Sequence, residues 1–160
     1  LVRIDYPSLS EEEQILLSTT LDGLPKLDQI IDGPTIVRMQ NAVRRVAVSR
    51  EVANYAARLA RATRPGLDEA PDFVNQWVRW GCGPRAGQSL LLAAKSHAGL
   101  TGRNEATFDD VRKFVHPVLR HRMGLNFAAV SEGQSTDDVV DMLVKHVPEK
   151  ASAAASQKVA

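Results

Sequence analysis

Residues 52–63 place Val52, Tyr55, Ala56, Leu59, Ala60 and Thr63 at i, i+3, i+4, i+7, i+8 and i+11, one continuous stripe on a helix of 3.6 residues per turn. A stripe that wide has to be covered. The chain supplies covers with the same period: Ile36, Met39, Val43 and Val46; Leu90, Leu91, Ala94 and Ala98; Phe108, Val111, Phe114, Val115, Val118 and Leu119; Val139, Val140, Leu143, Val144 and Val147. No segment predicts a convincing pair of strands, and no internal repeat is visible. The expected fold class is therefore all-α, a helical bundle of about five to six helices with a short extended N-terminal segment. At 160 residues and 44% apolar content, one such domain buries close to ~70% of its unfolded surface and needs neither metal nor disulfide.

Local signals set the expected boundaries. Ser10-Glu11-Glu12-Glu13 reads as a capping box opening a first helix through about Leu21, with Ile15, Leu16 and Leu17 as its apolar positions. A loop containing Gly23, Pro25, Gly33 and Pro34 leads to a second helix ending near Arg45. Ser49 caps the third, which Pro65-Gly66 stops. Residues 72–79 read as a short helix. The fourth main helix runs from Pro84 to about Leu100 and ends at Gly102. Thr107-x-x-Asp110 starts the fifth, in which Pro117 removes a backbone hydrogen bond and predicts a kink near residues 113–117. Thr136 is the expected cap of the last helix. Residues 149–160, rich in Ala, Ser, Lys and Gln, have little to bury and are expected to be disordered.

The candidate site is Gly81-Cys82-Gly83-Pro84-Arg85-Ala86. Pro84 suits the first helical position and Gly83 the N-cap, which puts Arg85 in a first turn whose free N–H groups already make it electropositive. A cation there opposes the helix dipole at a cost of roughly 0.3–1 kcal/mol. An anion in front of it reverses that sign, and phosphate clamped by a guanidinium is the obvious candidate. The alternative is an exposed arginine that tolerates its position.

The remaining chemistry is sparse. Twenty basic residues against nineteen acidic leave a net charge of +1, so no overall field draws the chain to nucleic acid or membrane. The lone Cys82 forms no internal disulfide, and neither a signal peptide nor an apolar run of about 18 residues is present, which makes a reducing cytoplasm the expected setting. His97, His116, His121 and His146 are not paired at helical spacing, so no metal site is expected; His97 reads as a hydrogen-bonded core residue. Trp77 and Trp80 read as packing residues beside the motif. There is no G-x-x-x-x-G-K-[ST] phosphate loop, no strand ending in paired acids and no Gly-x-Gly-x-x-Gly. The chain alone is not expected to be an enzyme.

Trp80-Gly81-Cys82-Gly83-Pro84-Arg85-Ala86, Leu92-Ala93-Ala94-Lys95 with Gly102-Arg103, Asp109-Asp110-Val111 and Pro117-Val118-Leu119-Arg120-His121-Arg122 closely resemble the C-terminal lid of MoxR-type AAA+ ATPases. The resemblance takes in Asp5-Tyr6-Pro7-Ser8 and Ala62-Thr63-Arg64 upstream, and Asn126-Phe127 and Glu132-Gly133 downstream, covering about residues 1–147 in matching order and spacing. Cys82-Gly83 replaces the commoner Ala-Ser pair of the motif and leaves proline and arginine in place.

That resemblance implies an excised lid, with residues 1–6 ending a missing ATPase core, 7–148 forming the lid and 149–160 a tail. It implies that Arg85 is the sensor 2 arginine, reading the terminal phosphates of ATP from a nucleotide-binding edge made of Gly83, Pro84 and Arg85. Arg64 would complete the phosphate-facing surface, Arg120-His121-Arg122 would dock on the core, and Tyr6-Pro7 would mark the junction with it. The parent is implied to be an ATP hydrolase using ATP and Mg²⁺, a ring, expected to be hexameric, working as a chaperone-like machine on a client the residues do not name. The rival reading is a free-standing helical adaptor or nucleic-acid-binding module using the basic patch from Arg112 to Arg122, which the near-zero net charge disfavours.

Overall fold

In the computed structural model, which describes residues 2–20, 23 and 26–150, the amphipathic segments become helices and their stripes meet. In chain order the elements are α1 (Leu9–Thr19), α2 (Gly33–Arg45), β1 (Ala47–Val48), α3 (Arg50–Ala62), α4 (Asp72–Trp77), β2 (Val78–Trp80), α5 (Pro84–Leu100), β3 (Glu105–Ala106), α6 (Phe108–Lys113), α7 (Val115–Leu119), β4 (Gly124–Leu125), α8 (Phe127–Ser131) and α9 (Thr136–His146). The fold class is all-α.

α5 runs through the middle, packed by α2, α3, α6 and α7. Its buried face is Ala86, Leu90, Ala94 and Ala98, mostly small side chains that let neighbouring backbones come close. Every member of the α3 stripe is buried, and Tyr55 meets Phe108 of α6 edge-on at 5.6 Å. Leu119 of α7 and Leu143 of α9 close the core.

Five boundaries differ from expectation, each for a local reason; one is the short helix expected over 72–79, which ends at Trp77 because Val78 begins β2. The first helix is capped by Ser8, not Ser10: Ser8 and Glu11 make the same reciprocal pair, and starting there adds the bond from the Glu12 N–H to the Ser8 carbonyl at 2.9 Å. The helix ends at Thr19; Leu21 lies outside the described residues. Gly33 and Pro34 belong to the first turn of α2 and not to a loop, because Asp32 caps it by accepting from the Thr35 N–H at 2.8 Å and proline needs no donor there. The last helix is capped by Ser135 instead of Thr136, since only Ser135 has a carboxylate, Asp138, three residues on to return the bond.

Two strand pairs correct the expectation of none. β1 runs parallel to β3 (Ala47 with Glu105, Val48 with Ala106), and β2 antiparallel to β4 (Val78 with Leu125, Trp80 with Gly124). Strands of two or three residues are too short to show alternation; they staple helix ends together. The kink at Pro117 is a full break at Phe114, dividing α6 from α7, because the ring nitrogen cannot donate to the Lys113 carbonyl.

α1 buries no residue, and Ile15, Leu16 and Leu17 stay exposed. At the other end, Arg58 donates to the Glu149 carbonyl at 2.7 Å and Arg112 pairs with its carboxylate, so ordered contacts reach one residue past the expected limit of 148. The rest of the expected disordered tail, residues 151–160, lies outside the described residues. No described helix is long and apolar enough to cross a membrane.

Candidate functional site

The start of α5 is built as its sequence requires. Gly83 is the N-cap, in extended backbone, and Pro84 occupies the first turn; no side chain caps this end. Its electropositive N–H groups are therefore not covered by a local acceptor side chain. Arg85 is exposed, and among the described residues no hydrogen bond or ion pair holds its guanidinium. Gly83 and Pro84 are exposed beside it, while Cys82 and Ala86 are buried on either side.

What holds this loop comes from the end of α3. The buried Thr63 hydroxyl donates to the Ala60 carbonyl at 2.7 Å and accepts the Cys82 N–H at 2.8 Å. Arg64, half-buried, donates from Nε to the Cys82 carbonyl at 2.7 Å. Burial pushes the Cys82 thiol above its ordinary range, which keeps it neutral. A groove between α3 and α5, lined by Ala57, Arg61, Arg64, Pro84, Gly87 and Leu91, opens beside the loop.

Arg122 reaches the same helix from below. Its guanidinium donates to the Val118 carbonyl at 2.7 Å and to Ser89 Oγ at 3.2 Å. Ser89 lies one turn along α5 from Arg85, on the same side. His121 is exposed, and desolvation together with the Arg122 charge lowers its pKa from the usual value. The fold thus brings Arg64 and Arg122 to the start of α5. It does not bring Tyr6 and Pro7: both are exposed and line a local groove with Glu11, Gln14 and Ile15 of α1.

Elsewhere many polar groups are paired, although the buried Arg120 Nε and Asp137 Oδ1 make no hydrogen bond. Asp110, only 2% exposed, accepts from Arg103 at 2.6 and 2.7 Å, lies 2.6 Å from His97 Nδ1, and returns the Thr107 capping bond at 2.8 Å. Lys113 Nζ is 2.8 Å from His97 Nε2, so His97 is hydrogen-bonded as expected, but it is half-buried at the edge and not in the core. In the basic patch, Arg112 pairs with Asp109 and Glu149, His116 with Asp141 at 3.1 Å and Arg120 with Asp137 at 3.0 Å. Those pairs offset the charges of Arg112 and Arg120, two of the four formal cations that a nucleic-acid backbone would meet in the patch. Among the described residues no group of His, Cys, Asp or Glu is placed to hold a metal ion. Trp77 donates to Glu132 at 3.0 Å, while Trp80 is 52% exposed with its indole against Gly124.

Sequence reasoning missed three parts of this site. Ser89 carries no local signal, because its partner is 33 residues away. The acceptor role of Thr63 was hidden by its place in an apolar stripe, although a threonine ending such a stripe is itself the signal. Gly81 belongs to the motif, but the motif does not show the close backbone approach that requires a glycine there.

Residues 73–143, which include α5 and Arg85, match the AAA lid domain family: this part of the chain is an AAA lid domain. Over nearly its whole length the chain is similar to a MoxR-type chaperone. It is 29% identical to the chaperone MoxR1 of Mycobacterium tuberculosis over 91% of this chain and 38% of that protein, and 27% identical to the uncharacterized protein YeaC of Bacillus subtilis over 91% and 43%. The fold also matches the crystal structure of a candidate ATPase from Cytophaga hutchinsonii, with a TM-score of 0.75 at 21% identity, over 91% of this chain and 44% of that one. The chain spans about two fifths of the length of these relatives.

Proposed function

We propose that this lid serves an AAA+ ATPase and that Arg85 is its sensor 2 arginine, contacting the terminal phosphates of bound ATP. The observation that carries the reading is the contrast among three arginines. Arg64 and Arg122 are each spent on backbone carbonyls, whereas Arg85 is exposed in an uncapped first helical turn and held by nothing among the described residues. A free guanidinium beside free N–H groups suits a polyphosphate, which accepts from both. Gly83 and Pro84 form the edge that lets phosphate approach.

In this reading residues 1–6 lead in from the ATPase core, residues 7–148 form the lid, and the exposed apolar side chains of α1 pack against that core. His121 and Arg122 dock on the core, while Tyr6 and Pro7 mark the junction with it. The core supplies the phosphate loop and the Mg²⁺ site; the described residues offer no ligand set for the metal, so no step is assigned to it here. Subunits assemble as a ring, taken as a hexamer in the cytoplasm, and lid rotation couples the nucleotide state to chaperone-like remodelling of a client. The chaperone name of MoxR1 supports that last step.

The test is spectroscopic. In the full-length protein labelled with ¹⁵N-arginine, a non-hydrolysable ATP analogue should shift the Arg85 Nε resonance. An Arg85 signal unmoved at saturating nucleotide overturns the assignment.

A further inference from the structure

We infer that Thr63 and Arg64 are a positioning pair for Arg85, acting through the peptide groups of Cys82; the inference rests on the sensor reading of Arg85. The Thr63 hydroxyl gives its proton to the Ala60 carbonyl, which leaves a lone pair aimed at the Cys82 N–H. Arg64 Nε takes the Cys82 carbonyl. Both polar groups of one buried residue are thereby fixed by two consecutive residues at the end of α3.

The fixation carries forward along the chain. Gly81 lies against the Thr63 carbonyl so closely that a Cβ on it would sit 2.2 Å from that oxygen, so the loop has no room to slide toward α3. After Cys82 only Gly83 retains torsional freedom, because the Pro84 ring locks φ at about −65° as the helix begins. Arg85 follows immediately. Its backbone position is set by one glycine and a residue anchored at both its N–H and its carbonyl, and the reach of a guanidinium to phosphate tolerates little error: a misplacement of about 1 Å can cost about 100-fold in rate.

Thr63→Val keeps the shape and removes the acceptor; Thr63→Ser restores it; Arg64→Met keeps the reach of the side chain and removes the donor of the second bond. In the full-length protein, Thr63→Val and Arg64→Met should each lower kcat roughly tenfold, Thr63→Ser should return it to within about twofold, and neither loss should appear in an Arg85→Ala background. The last arm separates positioning from general destabilisation, which lowers activity whatever residue 85 is. If Thr63→Val fails to fold, Arg64→Met carries the cycle alone. Losses that persist undiminished in the Arg85→Ala background, or wild-type turnover in Thr63→Val and Arg64→Met, overturn the positioning role while leaving the sensor reading intact. Wild-type turnover in Arg85→Ala itself removes both.

Discussion

The carbonyl oxygen of Thr63 occupies the place where a side chain on Gly81 would begin, 2.2 Å from the position of its Cβ, with Arg64 Cα only 2.7 Å away. Backbone atoms cannot turn aside as the tip of a side chain can. Gly81→Ala should therefore force the loop off the end of α3, costing about 1–3 kcal/mol in a denaturant midpoint and speeding exchange of the Cys82 amide. Gly83 has open space and ordinary extended backbone. Gly83→Ser, which adds a capping hydroxyl, should change stability by only about a few tenths of a kcal/mol.

The core and the N-terminal helix should respond in opposite ways to the same kind of truncation. Leu59 is fully buried at the centre of the α3 stripe, and Leu59→Ala should cost about 2–5 kcal/mol in this chain. Ile15 of α1 is 49% exposed in a helix that buries nothing, so Ile15→Ala should stay within about 0.5 kcal/mol. Chemical denaturation of the two variants checks both.

Acid should expose the Asp110 network. The Arg103 guanidinium, followed by His97 and the Thr107 capping bonds, holds the Asp110 carboxyl well below the usual carboxylate range despite its burial. A depressed folded-state pKa gives stability that is present above the unfolded value, about 4, and lost as pH falls below it. Asp32, Glu69 and Asp138 are lowered in the same direction, so the informative quantity is the difference between wild type and Asp110→Asn. That difference should be about 1.5–3 kcal/mol at pH 6 and shrink steadily from pH 4 to pH 2. A difference constant over that range would show that the ion pair contributes nothing.

One arginine and one helix end are only part of a phosphate site. Calorimetry of this chain with ATP and Mg²⁺ should give a dissociation constant weaker than about 10 μM, that is, less than about 7 kcal/mol of binding free energy. Tighter binding would mean that the described residues hold a complete nucleotide site.

The parts of this fold legible in the sequence were those that repeat over several turns or are written in one local motif. The α3 stripe, its Ser49 cap and the start of α5 at Pro84 are of that kind. Caps were legible as a type but not always to the residue: Ser8 and Ser10 both stand three before a glutamate, and only the gain of an extra backbone bond decides between them. The strand pairs and α8 were not legible, because two to five residues carry no period. In the site, Arg85 was marked by its own motif. Its surroundings were not, since Thr63 with Cys82 and Arg122 with Ser89 are contacts made by the packed body, 19 and 33 residues apart.

The central claim, that Arg85 acts on ATP, is tested most directly by ATP turnover of the full-length protein carrying Arg85→Ala and Arg85→Lys, with the melting of this domain followed in parallel. Arg85 is exposed, so both variants should fold and melt as wild type does. Arg85→Ala should lower kcat by roughly 10–1,000-fold, as expected for one charged stabiliser of the transition state, and lysine should recover little of it because it lacks the planar fork. Turnover of Arg85→Ala within about twofold of wild type, in a range where losing one such stabiliser costs at least tenfold, would contradict the account.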